Sequence, residues 1–115
     1  MPTRNRTSAK KAGSAFESLV EEELAGLGAF RKARNGNKDQ GDIHLHDAPW
    51  FVIECKNTAR VDLAGWHKEL SVEITNASAQ MGAIVHKRHG KGAAGAQWVT
   101  MDLDTLRRLL ALAIG

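Results

Sequence analysis

The segment WFVIECK, residues 50–56, constrains the fold more than any other stretch of the chain. Side chains alternate across a strand, so Phe51, Ile53 and Cys55 face one way while Val52, Glu54 and Lys56 face the other. A strand this apolar on both faces is central in its sheet. Burying a carboxylate and an ammonium there is costly unless they are paired or hold a metal. The pattern points either to a structural ion pair or to half of an active site.

The surrounding sequence supplies an order of elements. Residues 1–12 are polar and basic and read as a flexible arm, with one domain over 13–115. From Ser14 to Leu27, Phe16, Leu19, Val20, Leu24 and Leu27 follow helical spacing; Ser14 is placed to cap, Glu17 to complete a capping box and Gly28 to terminate. AFRKAR (29–34), DIHLH (42–46) and WFVIECK read as strands, the last two joined by a short turn. Asp62 caps a second helix whose stripe of Leu63, Trp66, Leu70, Ile74, Ala77 and Met81 runs to Gly82. AIVHK (83–87), a mobile glycine-rich loop over 88–96, QWVTM (97–101) and a leucine-rich helix capped by Asp102 or Asp104 follow. The order is αβββαβ plus a C-terminal βα, an α/β class with a central mixed sheet flanked by helices.

At 115 residues the chain has room for one modest core. No apolar run reaches membrane-spanning length and no signal-peptide core is visible, which predicts a cytoplasmic location and no membrane partner. The lone cysteine, Cys55, excludes an internal disulfide and reads as a small buried residue rather than a nucleophile. The net charge of +3 is modest but clustered. Arg4, Arg6, Lys10 and Lys11 lie in one group, Arg31, Lys32, Arg34 and Lys38 in a second, and Lys87, Arg88 and Lys91 in a third. Three basic clusters in an otherwise balanced chain form a phosphate-binding footprint, with DNA the expected partner.

Two carboxylates and an ammonium, Asp42, Glu54 and Lys56, suit a hard divalent cation and a phosphodiester. Mg2+, with Mn2+ able to substitute, is expected on Asp42, Glu54 and the Cys55 carbonyl, and Lys56 is expected to orient water or neutralise charge on the phosphate. The sequence leaves open the register that brings Asp42 to Glu54. His44 and His46 share a strand face, without a third zinc ligand at suitable spacing.

The set Gly41-Asp42-Ile43, Glu54-Cys55-Lys56 and the helical Glu17 resembles the PD-(D/E)XK nuclease superfamily, over residues 13–101. FESLVEEELAGLG…RKARNGN…GDIHL…VIECKN looks most like the archaeal and phage Holliday junction resolvases. The resemblance implies a restriction-endonuclease-like core, with Asp42 and Glu54 as metal ligands and Lys56 as the catalytic lysine. It implies that Glu17 completes the site through metal or water, in a homodimer cutting branched DNA. The superfamily's proline before the aspartate is Gly41 here, and the resolvases' Gly-Ser is absent after Arg34. Three alternatives stand beside it: an endonuclease acting on duplex or damaged DNA, a non-catalytic DNA-binding module on a decayed nuclease fold, and an assembly protein whose last helix packs against a partner with Glu54–Lys56 only a buried pair. Separately, Glu17 has the plainer reading of a helix cap.

Overall fold

A computed structural model describes residues 5–32 and 38–115. Among the described residues three α-helices, α1 (Arg6–Glu23), α2 (Leu63–Asn76) and α3 (Leu103–Ile114), accompany five strands. These are β1 (Ala29–Phe30), β2 (Ile43–Leu45), β3 (Phe51–Lys56), β4 (Met81–His86) and β5 (Trp98–Thr100), in the spatial order β1-β2-β3-β4-β5. The β3–β4 pair is parallel and the other three pairs are antiparallel, so the class is α/β with a mixed sheet.

The strand WFVIECK is central, as its two apolar faces require. Phe51 and Ile53 join Phe16 and Val20 of α1, together with Ile43, Met81 and Ala83, in one core layer. Val52 points the other way and packs with Trp66, Leu70 and Ile84 under α2. Val52 and Ile84 are fully buried and Leu70 nearly so. Each such side chain contributes about 1.5–3 kcal/mol relative to exposure, enough to fix α2 in place across the β3–β4 crossover.

The helix boundaries depart from the sequence expectation at the start of α1 and at the end of α2. α1 begins at Arg6, not Ser14: Asn5 caps it by accepting from the Ser8 N–H at 2.8 Å. Residues 6–12, expected in the arm, are therefore helical, and residues 6–11 are exposed, so no apolar stripe betrays them. Ser14 lies inside the helix and Glu17 is no capping-box residue. Gly28 does terminate the segment, at φ 74°, after a short 3-10 turn over Ala25–Leu27.

α2 starts at its Asp62 cap as expected but stops at Asn76. Met81 and Gly82 belong to β4; both are apolar or small and buried, so their spacing mimicked a continuing helix. A Cβ at Gly82 would lie 2.4 Å from the Val52 carbonyl oxygen. Among the described residues the 29–34 strand is paired only at Ala29–Phe30. The final helix is capped by Asp102, which accepts from Thr105 N–H at 2.8 Å. Its apolar residues are mostly outside: Leu103, Leu106, Leu110 and Ile114 are exposed, while Leu109 packs on the core and Thr105 is buried.

The 88–96 loop is fastened rather than mobile. The buried Gln97 side chain accepts from Arg88 N–H at 2.7 Å and donates to the carbonyls of Lys91 and Ala93 at 2.9 and 2.8 Å. Lys87 Nζ donates to the Arg88 and Lys91 carbonyls as well. None of the described helices is long and apolar enough to cross a membrane.

Candidate metal centre

The site is built where β2 begins beside the end of β3. Ile43 is paired with Ile53, and the Asp42 N–H also reaches the Ile53 carbonyl, at 3.0 Å. Two successive residues thus address one partner, as in a β-bulge, which re-aims the first side chain. Asp42 uses that freedom to accept the Cys55 N–H on Oδ2 at 2.7 Å. Gly41 makes the entry possible: its φ is +93°, and a Cβ there would lie 2.3 Å from Val52 Cγ1. A proline, locked at negative φ, cannot occupy this position.

Asp42 lies between the two faces of the sheet. From α1 comes Glu17, whose protonated form hydrogen-bonds to Asp42. From β3 comes Glu54, 4% exposed, whose protonated form hydrogen-bonds to Asp42 and Glu73. Burial, then the neighbouring carboxylates, hold Glu54 far above the usual carboxylate range. Burial and Asp42 raise Glu17 to about 7, against the opposing pull of Arg31. Cys55 is also pushed up by burial and by Asp42, so it stays a thiol. Its backbone, tied to Asp42 through N–H, is part of the site; its sulfur is not a nucleophile.

α2 faces the E-x-K pair with two more carboxylates. Residues two apart on a strand and four apart on a helix are both separated by about 6–7 Å along their axes. Glu69 and Glu73 use this match. Lys56 Nζ meets Glu69 Oε2 at 2.7 Å, and Glu73 stands beside Glu54. Burial alone would lower the Lys56 pKa, but the hydrogen bond to Glu69 and the charges of Glu54, Glu69 and Glu73 outweigh it and raise it. Glu73 is raised to about 7 by burial and by the carboxylates of Asp39 and Asp42.

Three ligand-bearing residues approach closely among the described residues: Asp39, Glu54 and Glu73 have one oxygen each within 4.8 Å of the others. The expected set of Glu17, Asp42 and Glu54 is brought to one place, with Asp42 as the link, but it is less compact. Asp39, Glu69 and Glu73 were missed from the sequence. Glu73 had a readable signal, since it lies three residues after Leu70 and seven after Trp66, on the inward face of α2.

A cleft of about 270 Å³ opens on the α1 side, lined by Glu17, Arg31, Lys32, Asp39, Gln40, Gly41 and Asp42. Arg31 is fixed on its wall by the Ser14 carbonyl at 3.1 Å, the Ser18 hydroxyl and Glu21 at 3.4 Å. The basic residues expected to meet DNA are spread more widely. Arg6, Lys10 and Lys11 are exposed on the first turns of α1, Lys32 is exposed at the cleft, and Lys91 is exposed on the fastened loop. Lys87 is spent on loop carbonyls, and the Arg88 guanidinium stacks on Trp98 at 4.2 Å. Arg4 and Arg34 lie outside the described residues. His44 is buried, not solvated, and His46 stacks on Phe30 at 4.1 Å.

Compared with protein-family models, with curated proteins and with solved structures, the chain matches none.

Proposed function

We propose that this chain is a metal-dependent DNA endonuclease with a restriction-endonuclease-like core, acting on branched DNA of the four-way-junction kind. The observation that carries the reading is the meeting of Glu17, Asp42 and Glu54, from three different elements, beside a lysine two residues along the same strand. The αβββαβ order with β3 parallel to β4 supports it.

The residues fit a hard divalent cation such as Mg2+ or Mn2+. The nearby donors are carboxylate oxygens, crowded together and, at Glu54 and Glu73, buried. Asp42 and Glu54 would hold the ion, with Glu17 beside Asp42. The Cys55 N–H is taken by Asp42, and the N–H and C=O of one strand residue point to the same side, which supports the Cys55 carbonyl as a further ligand. When bound, the cation supplies Lewis acidity toward a phosphodiester.

The chain's own residues do the rest. Asp42 is held in one orientation by the Cys55 N–H, so the site is aligned before substrate arrives. Lys56 keeps its proton and offers a fixed ammonium to charge developing on the phosphate. Arg31 and Lys32 line the cleft with positive charge toward the sugar-phosphate backbone. The exposed apolar row of Leu103, Leu106, Leu110 and Ile114 supports assembly as a homodimer, which would present two sites to opposing strands.

The test is cleavage of labelled four-way junction beside matched linear duplex, with Mg2+ or EDTA, for wild type and Lys56→Ala. Paired Mg2+-dependent cuts in the junction alone, lost in Lys56→Ala, are expected. Cleavage of both DNAs leaves a nuclease without junction specificity, and binding without cleavage leaves a DNA-binding module.

A further inference from the structure

We propose that Asp39, Glu54 and Glu73 form a second divalent-cation seat, on the α2 side of β3, sharing Glu54 with the Asp42 side. Their ligand oxygens already lie within 4.8 Å of one another. An ion held at 2.0–2.6 Å from each oxygen spans ligand oxygens up to roughly 4–5 Å apart, so modest closure is enough.

The second, independent observation is Glu73 itself. Its side chain is 2% exposed, and among the described residues its two buried oxygens meet no amide, hydroxyl or ammonium donor, only the protons shared with the neighbouring carboxyls of Glu54 and Asp39. It stands on the inward face of a helix fixed by Trp66 and Leu70, so it cannot swing out to water without undocking α2. A carboxylate buried this way is costly to ionise unless something positive joins it. The Lys56 ammonium, whose pKa Glu73 helps to raise, is bonded to Glu69 at 2.7 Å. One proton on Glu54 serves a single neighbour at a time, and Glu73 presents two oxygens. A cation serves all three residues together.

The seat is held in shape by its surroundings. Asn76 Nδ2 donates to the Asp39 carbonyl at 2.8 Å, and Asp39 Oδ1 accepts the Gly41 N–H at 2.9 Å. The loop that carries Asp39 is therefore pinned to the end of α2 on one side and to the entry of β2 on the other. An all-oxygen set of this kind selects Mg2+, Mn2+ or Ca2+ over softer metals. The ion would clamp α2, β3 and the Asp39 loop together. This seat adds to the proposed nuclease site and stands whether or not that site cuts DNA.

The experiment counts bound Mn2+ by electron paramagnetic resonance for wild type, Glu73→Gln, Asp39→Asn and Asp42→Asn. Two ions per chain are expected in wild type, with one lost in Glu73→Gln and in Asp39→Asn and the Glu73-dependent ion kept in Asp42→Asn. Glu73→Gln is nearly isosteric, and circular dichroism verifies its fold; Asp39→Asn, on the half-buried loop, gives the answer if α2 is disturbed. Wild-type stoichiometry in both variants, including none at all, overturns the seat and identifies Glu73 as a carboxyl group that only shares a proton. Loss of an ion only in Asp42→Asn overturns it as well, while leaving the nuclease reading intact. Conversely, a Glu73-dependent ion in a chain that cuts no DNA sinks the nuclease reading and keeps the seat.

Discussion

Lys56 and Glu69 join β3 to α2 through a 2.7 Å ion pair, with the lysine mostly covered and the glutamate side chain 54% exposed. A pair this close to solvent contributes at most about 1 kcal/mol to stability, so its main effect is to hold the ammonium in one place. Glu69→Gln is expected to leave the melting temperature within a few degrees while lowering DNA cleavage several-fold. Lys56→Ala is expected to lower cleavage by about 100-fold or more, since the charge itself is gone. Single-turnover cleavage beside thermal melts reads both.

Asp42 has two separable duties. Its oxygen accepts the Cys55 N–H, which an amide oxygen also does, whereas its negative charge faces Glu17 and Glu54. Asp42→Asn is therefore expected to fold with an equal or slightly higher melting temperature and to lose about 100-fold or more in cleavage. A large drop in stability would show that the aspartate is there chiefly for structure.

Stability in EDTA is expected to fall as pH rises through 7. Glu17 and Glu73 are raised to about 7 in the folded chain from the ordinary 4.5. Between those values the native state binds more protons than the unfolded one, so their contribution is present at low pH and lost on deprotonation. Glu54, held higher still, acts in the same direction. His44 and His86 are lowered by burial and act oppositely, but only up to their ordinary 6.5. Comparing pH 6.5 with pH 8.5 isolates the carboxylates, and a loss of roughly 5–10 °C is expected. Adding Mn2+ at pH 8.5 should recover most of it; an EDTA melt that is flat across this range would contradict the crowded cluster.

Gly41→Ala is expected to cost about 1–3 kcal/mol. The residue adopts φ +93°, and the added methyl would meet Val52 Cγ1 at 2.3 Å. Because Asp42 follows directly, metal affinity should weaken with stability, which chemical denaturation and Mn2+ titration measure side by side.

Much of the architecture was visible in the residues, for reasons that are local. WFVIECK announced a central strand because both its faces are apolar, and Asp62 and Asp102 announced helix starts because their side chains replace missing backbone acceptors. The start of α1 was hidden because its first turns touch little, and apolar periodicity records only what is packed. Gly82 and Met81 were misread because a buried strand beginning soon after a helix continues the same apolar beat. The approach of Asp42 to Glu54 depended on the Asp42 N–H meeting the Ile53 carbonyl, a register that no propensity encodes. Glu73 and Asp39 join the cluster only through the way α2 crosses β3 and the way Asn76 holds the Asp39 carbonyl. Those are tertiary facts, although a glutamate on an inward helical face was a warning.

The carboxylate cluster draws on α1, the start of β2, the end of β3 and α2, so no hairpin or single helix contains it. An ion binding there can therefore be released by opening any one of these elements, and it resists the opening of each. Amide-exchange protection conferred by the ion should accordingly extend across the whole sheet, not stay confined to the ligands' own loops. Occupancy of the proposed centre would then double as a report on whether the entire domain is assembled.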